Sequence, residues 1–139
     1  MRITLQLAFL FLIGSLFGVA QEPCLKYEPE VVELVGKIKR HTFPGPPNYE
    51  SVKQGDRPET YWVLCLPRAI CVEPAANSPK HNSSPEFGIS QLQLTQVDYT
   101  RYRKLLGKKV RAKGRLTHAI TGHHHTTVML ELVSLEPAT

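Results

Sequence analysis

Apolar and polar positions alternate with a period of two along much of this chain, in short segments separated by turn-forming residues. Val31-Val32-Glu33-Leu34-Val35-Gly36-Lys37-Ile38 is β-branched and roughly alternating, which predicts a first strand running towards Phe43. Pro44-Gly45-Pro46-Pro47-Asn48 ends it, because proline donates no hydrogen bond to a ladder and holds the chain in a stiff, extended loop. Residues 61–66 and 69–72 predict a second and a third strand, joined as a hairpin through Pro67-Arg68. From Glu73 to Phe87 the chain is rich in Pro, Asn and Ser and no apolar period survives, which predicts a surface loop adding little to the core. Alternation resumes over residues 89–94 as a short strand or extended lead-in. Thr95 then stands where a helix cap would, with Asp98 in the first turn, Tyr99, Tyr102 and Leu106 at helical spacing and Gly107 as the stop. Val110, Ala112, Gly114, Leu116, His118 and Ile120 share one face of a further strand, Arg111, Lys113, Arg115 and Thr117 the other, and a last strand spans residues 127–135.

Three strands, one short helix and two strands is the order of a five-stranded OB-type barrel, in which the helix lies between strands three and four. The fold expected is therefore mainly β and OB-like, with an open antiparallel α+β sheet as the alternative. Gly36 and Gly114 lie inside strands, where a small barrel needs tight bends or bulges.

The first residues change the picture of where this domain works. Met1-Arg2-Ile3-Thr4 is followed by an apolar stretch from Leu5 to Val19 and by Gly18-Val19-Ala20, which reads as a secretory signal peptide over residues 1–20 cleaved after Ala20. A membrane anchor is the competing reading, but the stretch is shorter than the roughly 20 residues a span needs, and polar Gln21-Glu22-Pro23 follows at once. Lipid attachment at Cys24 is set aside, because Pro23 stands where such a signal needs a small residue. Residues 21–139 have the length of one domain. Export permits a disulfide among the three cysteines. Cys24–Cys71, tying the start of the domain to the third strand, is the expected pair. Cys65–Cys71 across a short hairpin is the competitor. Lys and Arg number 17 against 12 Asp and Glu, a net charge of +5 that weakly favours anionic partners.

Three features are candidates for chemistry. In Thr121-Gly122-His123-His124-His125-Thr126-Thr127, an extended chain would put His123 and His125 on one side, roughly 7 Å apart. That spacing lets two imidazoles meet one zinc or copper ion, while His124 points away. The bland alternative is a polar hairpin end. The Pro-rich loop displays Asn48, Tyr49, Glu50, Asp56 and Glu59 as candidate ligand-binding residues, with carboxylates able to complete a metal site. Asn48 and Asp56 are equally suited to bonding the loop's own backbone. Finally Arg101, Arg103, Lys104, Lys108, Lys109, Arg111, Lys113 and Arg115 occur with no acidic residue between Asp98 and Glu131. This is a solvated basic face or a site for anionic envelope polymers; export argues against nucleic acid. No Gly-x-Ser-x-Gly elbow, His-Glu-x-x-His helix or Gly-rich phosphate loop is present, so no catalytic residue is assigned.

Cys24 before Tyr27-Glu28-Pro29, the stretch from Phe43 to Ser51, Gly55-Asp56 with Glu59, and Thr121-Gly122-His123-His124-His125-Thr126 together resemble a family of small exported bacterial proteins, known as a domain of unknown function marked by a C-terminal Thr-Gly-His-His-His-Thr motif. The resemblance implies a bacterial, periplasmic or secreted setting and brings no activity, cofactor or partner. The expected function is a non-enzymatic periplasmic or secreted binding module, with the Pro-rich loop and the histidine run as its working face and an envelope protein or anionic envelope polymer as its partner. The rivals are a transition-metal-binding protein, as carrier or enzyme, on His123 and His125, and an inhibitor or immunity-type protein that plugs a partner's cleft.

Overall fold

The structure, a computed structural model, describes residues 21–139. The expected signal peptide over residues 1–20 lies outside the described residues. Among the described residues six strands form, β1 (Leu25–Lys26), β2 (Val32–Pro44), β3 (Pro58–Glu73), β4 (Glu86–Thr95), β5 (Lys109–His118) and β6 (Val128–Pro137), with a short helix α1 (Tyr99–Tyr102) continued by a 3-10 turn over Arg103–Leu105. β2 pairs with β3 and β5, β5 with β6, β6 with β4, and β4 returns to β3, so five strands close into a barrel; β1 adds on outside, parallel to β3. The β4–β6 pair is parallel and every other pair in the barrel antiparallel. With the helix between the third and fourth barrel strands, this is the OB-like arrangement that the alternation predicts, and a closed one rather than the open sheet.

The alternation closes the barrel because each strand turns one apolar row inward. Ile38, Leu64, Leu92, Leu94, Val110, Leu116 and Leu130 are almost wholly buried. Each such aliphatic side chain contributes roughly 2 kcal/mol on leaving water. Tyr27, Trp62 and Tyr102 join the same core. Gly36 and Gly114 let strands approach: a Cβ at 36 would lie 2.6 Å from the Cys65 carbonyl oxygen, and one at 114 would collide with the Glu131 carbonyl beside the irregularity between Lys113 and Gly114.

Five local expectations are corrected. Residues 61–66 and 69–72 are not a hairpin but one strand, β3. Between Cys65 and Ile70, five steps along β3 face only two along β4, from Gln91 to Ile89, so Pro67 and its neighbours bulge outward instead of reversing the chain. The third barrel strand is instead β4, which begins at Glu86, inside the expected loop. That loop also adds to the interior: Asn82 is fully buried, donating from Nδ2 to Glu28 Oε1 at 3.0 Å and accepting from the His118 N–H at 2.8 Å. The helix is capped by Asp98, whose carboxylate accepts from the Arg101 N–H at 2.9 Å, while Thr95 closes β4. Ile120 lies past the end of β5 and is exposed.

The expected disulfide is present: Cys24 is bonded to Cys71, and Cys65 is a free, half-buried thiol. Outward-facing Arg111 and Lys113 pair with Glu33, and Arg115 with Glu131. Three basic residues of β5 are thus paired with two acidic residues from its neighbouring strands.

Candidate functional site

In an OB-type barrel the loops after the first and the fourth barrel strands flank one face. Here they are residues 45–57 and 119–127, and Glu59 joins them. Glu59 stands near the start of β3, opposite Phe43 at the end of β2. Its Oε1 accepts from His123 Nδ1 at 2.7 Å and its Oε2 from His125 Nε2 at 3.0 Å. The His125 hydrogen bond first, and then that of His123, outweigh the opposing effect of burial and hold the Glu59 carboxyl below its usual range. Both imidazoles therefore serve as N–H donors to one carboxylate, and in the neutral ring the opposite nitrogen carries the lone pair. His125 is packed in, its side chain 9% exposed, stacked parallel on Phe43 at 4.6 Å between ring centroids and tilted against Tyr61 at 5.7 Å. The His123 side chain is 54% exposed, and its Nε2 has no polar partner among the described residues.

The histidines converge for a reason other than strand alternation. Residues 119–127 are a looped turn, closed by the His124 N–H on the Thr121 carbonyl at 3.1 Å. His124 caps that turn, accepting the Ile120 N–H on Nδ1 at 3.1 Å. Burial, and then its two histidine neighbours, make His124 harder to protonate than usual, which suits an acceptor. Beneath the loop lies Gln93 of β4, 1% exposed. Its Oε1 accepts from the His125 N–H at 2.8 Å and its Nε2 donates to the His123 carbonyl at 3.0 Å, so one amide holds the backbone on either side of His124. Thr126 adds a second hold, its hydroxyl accepting from the Gln93 N–H at 2.8 Å.

The Pro-rich loop is organised by Asp56, which is 4% exposed. Its carboxylate accepts the N–H groups of Asn48 at 2.9 Å, Glu50 at 2.8 Å and Ser51 at 2.9 Å. Those backbone bonds, that of Ser51 first, hold its carboxyl below the usual range. Asp56 thus acts on the loop itself. Asn48 and Glu50 give it their amides and leave their side chains exposed. Tyr49, in a left-handed backbone conformation, sets its ring edge-on to His123 at 5.8 Å. A Cβ at Gly122 would lie 2.8 Å from that ring, so the glycine lets the two loops close on one another.

Of the residues singled out from sequence, Glu59, His123, His125 and Tyr49 meet in space; Asp56, Asn48 and Glu50 support them from one side. Phe43, Tyr61 and Gln93 complete the arrangement without having been assigned a role. Gln93 carries no sequence signal, because a polar residue between Leu92 and Leu94 reads as the solvent side of a strand. A cleft of about 580 Å³ opens beside His123, lined by Tyr61, His124 and residues 93–99. Chemically the arrangement can accept a hydrogen bond or coordinate an ion at His123 Nε2. Among the described residues, no group of three or more His, Cys, Asp and Glu side chains is arranged to hold a metal ion. Nor, among the described residues, does a Ser, Thr or Cys side chain bond to the His123 or His125 ring.

Residues 90–136 match the model of a domain of unknown function, DUF4431. The matched stretch runs from β4 nearly to the end of β6. It contains Gln93 and the histidine loop, while Glu59 and the Pro-rich loop lie before it. No curated protein and no solved structure matches the chain.

Proposed function

We propose that this protein is an exported, non-enzymatic binding module whose partner is met by the face built from residues 45–57 and 119–127. The observation that carries the reading is the Glu59 carboxylate shared by His123 and His125, which fixes the histidine loop on β3 where Tyr49 of the Pro-rich loop meets His123, giving one preorganised surface. Export is supported by the N-terminal sequence and by the Cys24–Cys71 bond, which persists in oxidising compartments, periplasmic or extracellular. The test is site-specific cross-linking in the cells that make the protein. A photoreactive phenylalanine analogue at Tyr49 gives a defined adduct on irradiation, whereas the same group at exposed Val133 on β6 gives none. Adducts at both positions alike, or none at Tyr49, overturn the reading.

One observation favours a second reading. A carboxylate behind an imidazole is the usual support of a metal-bound histidine, and Glu59 stands so behind His123. In this reading zinc or copper binds His123 Nε2, with Glu59 orienting the ring rather than ligating. Calorimetric titration of chelator-treated protein decides it: heat lost in His123→Ala and kept in His124→Ala supports a metal, and no heat in the wild type removes it.

A further inference from the structure

A second cleft, of about 550 Å³, lies next to the histidine face and shares Tyr61 and Tyr99 with the first as common walls. It is lined by Arg40, Thr60, Tyr61, Trp62, Tyr99, Arg103 and Leu106. Two guanidiniums border it and no carboxylate does. Among the described residues neither Arg40 nor Arg103 makes an ion pair or a side-chain hydrogen bond, in contrast to Arg111, Lys113 and Arg115, which already have acidic partners. Burial, and for Tyr61 then the neighbouring Glu59 carboxylate, pushes the Tyr61 and Tyr99 phenols up, so these hydroxyls stay neutral and the only charged side chains lining the cleft are the two guanidiniums. The remaining walls are apolar or aromatic: Tyr99 is 44% exposed and stands edge-on to Trp62 at 5.2 Å. Thr60 bonds to the Thr42 hydroxyl at 2.8 Å.

We propose that the cleft between Arg40 and Arg103 binds a small anionic ring ligand, a sugar or similar ring bearing a carboxylate or a phosphate. A guanidinium is a rigid fork of donors matched to two oxygens of such a group, and the aromatic walls take the flat carbon faces of a ring. A single exposed ring and two flanking charges fit a short ligand. An extended single strand of nucleic acid needs successive stacking platforms along a basic groove. The cleft adjoins the loop face through Tyr61, but Arg40 and Arg103, which hold the anion, lie outside that face and away from the position tested by cross-linking at Tyr49.

Trp62 is the only tryptophan of the chain and lines this cleft from the barrel core, so its fluorescence offers a signal for binding there. Titration with glucuronate and with glucose 6-phosphate shows which anionic group is preferred; glucose is the neutral control and a thymidine hexanucleotide the nucleic-acid control. The expected result is a saturable change with one or both charged sugars, weakened by salt and absent with glucose. Arg40→Gln and Arg103→Gln each weaken binding about tenfold, the scale of one charge-assisted hydrogen bond. Arg111→Gln, which loses a bond to Glu33 on another face, leaves it unchanged. No change with either charged sugar up to about 10 mM, a concentration that reveals affinities as weak as ~3 kcal/mol, overturns the proposal. So does equal weakening by Arg111→Gln, which would mark diffuse attraction, or clear preference for the hexanucleotide.

Discussion

Replacing Gln93 by methionine tests whether one buried amide holds the histidine loop in place. The substitution keeps the length and nearly the volume of the side chain, so packing beside the cross-strand partners Val63 and Met129 is preserved and only the polar groups are removed. Two hydrogen bonds are lost, from the His125 N–H at 2.8 Å and to the His123 carbonyl at 3.0 Å. Each contributes about 1 kcal/mol net, and partly buried backbone groups left unpaired add to the loss, for a total of about 2–3 kcal/mol. For a domain of this size that corresponds to a fall in Tm of roughly 10 °C. The loop histidines should also be released from Glu59, bringing their ring signals in NMR spectra closer to those of free imidazole. Thermal unfolding followed by circular dichroism, beside the histidine spectra, gives both readouts. A variant that melts with the wild type and keeps its histidine signals would refute the reasoning, because Gln93 would then be a passive filler.

Three further outcomes follow from the structure. Reducing Cys24–Cys71, which closes a loop of 47 residues' separation, should lower stability by about 4 kcal/mol in the chain-entropy model, measured by urea unfolding with Cys65 alkylated in both samples. Gly114→Ala drives a methyl group against the Glu131 carbonyl and Leu130, and should shift the urea midpoint by an amount equivalent to about 1–3 kcal/mol. Because the Glu59 carboxyl is held below its ordinary 4.5, its contribution is complete above that pH and fades as pH falls through the lower folded-state value. Wild type should therefore lose more Tm than Glu59→Gln between pH 4.5 and more acid conditions; parallel curves would contradict the pairing.

How far the sequence could be read depended on what covers each strand. β2 and β5 were legible because one face of each meets the core and the other meets water or a salt bridge, as in Val110, Ala112 and Leu116 against Arg111, Lys113 and Arg115. β3 was split in two because Pro67 is as compatible with an outward bulge as with a turn, and only the pairing partner β4 decides between them. β4 was cut short because Glu86-Phe87-Gly88 has no apolar row, although it extends the ladder. The same limit hid Gln93: its outward face is roofed by the histidine loop, a contact between segments 30 residues apart or more. Glu59, His123 and His125 could each be named from residue type and loop position. Their meeting could not, since it depends on closure of the barrel, and the turn at Thr121 rather than an extended strand brings both rings to one side.

The claim on which the account stands is that Glu59, at the start of β3 beside the Pro-rich loop, holds the histidine loop through both rings. Long-range nitrogen-15 NMR of the histidine rings, compared between wild type and Glu59→Gln at neutral pH, tests it most directly. The structure predicts that His123 carries its proton on Nδ1 and His125 on Nε2, each shifted by a strong acceptor, and that Glu59→Gln moves both sets of signals while leaving those of His81 in place. Opposite tautomers at either ring, or signals of His123 and His125 that do not respond to the loss of the Glu59 charge, would contradict it.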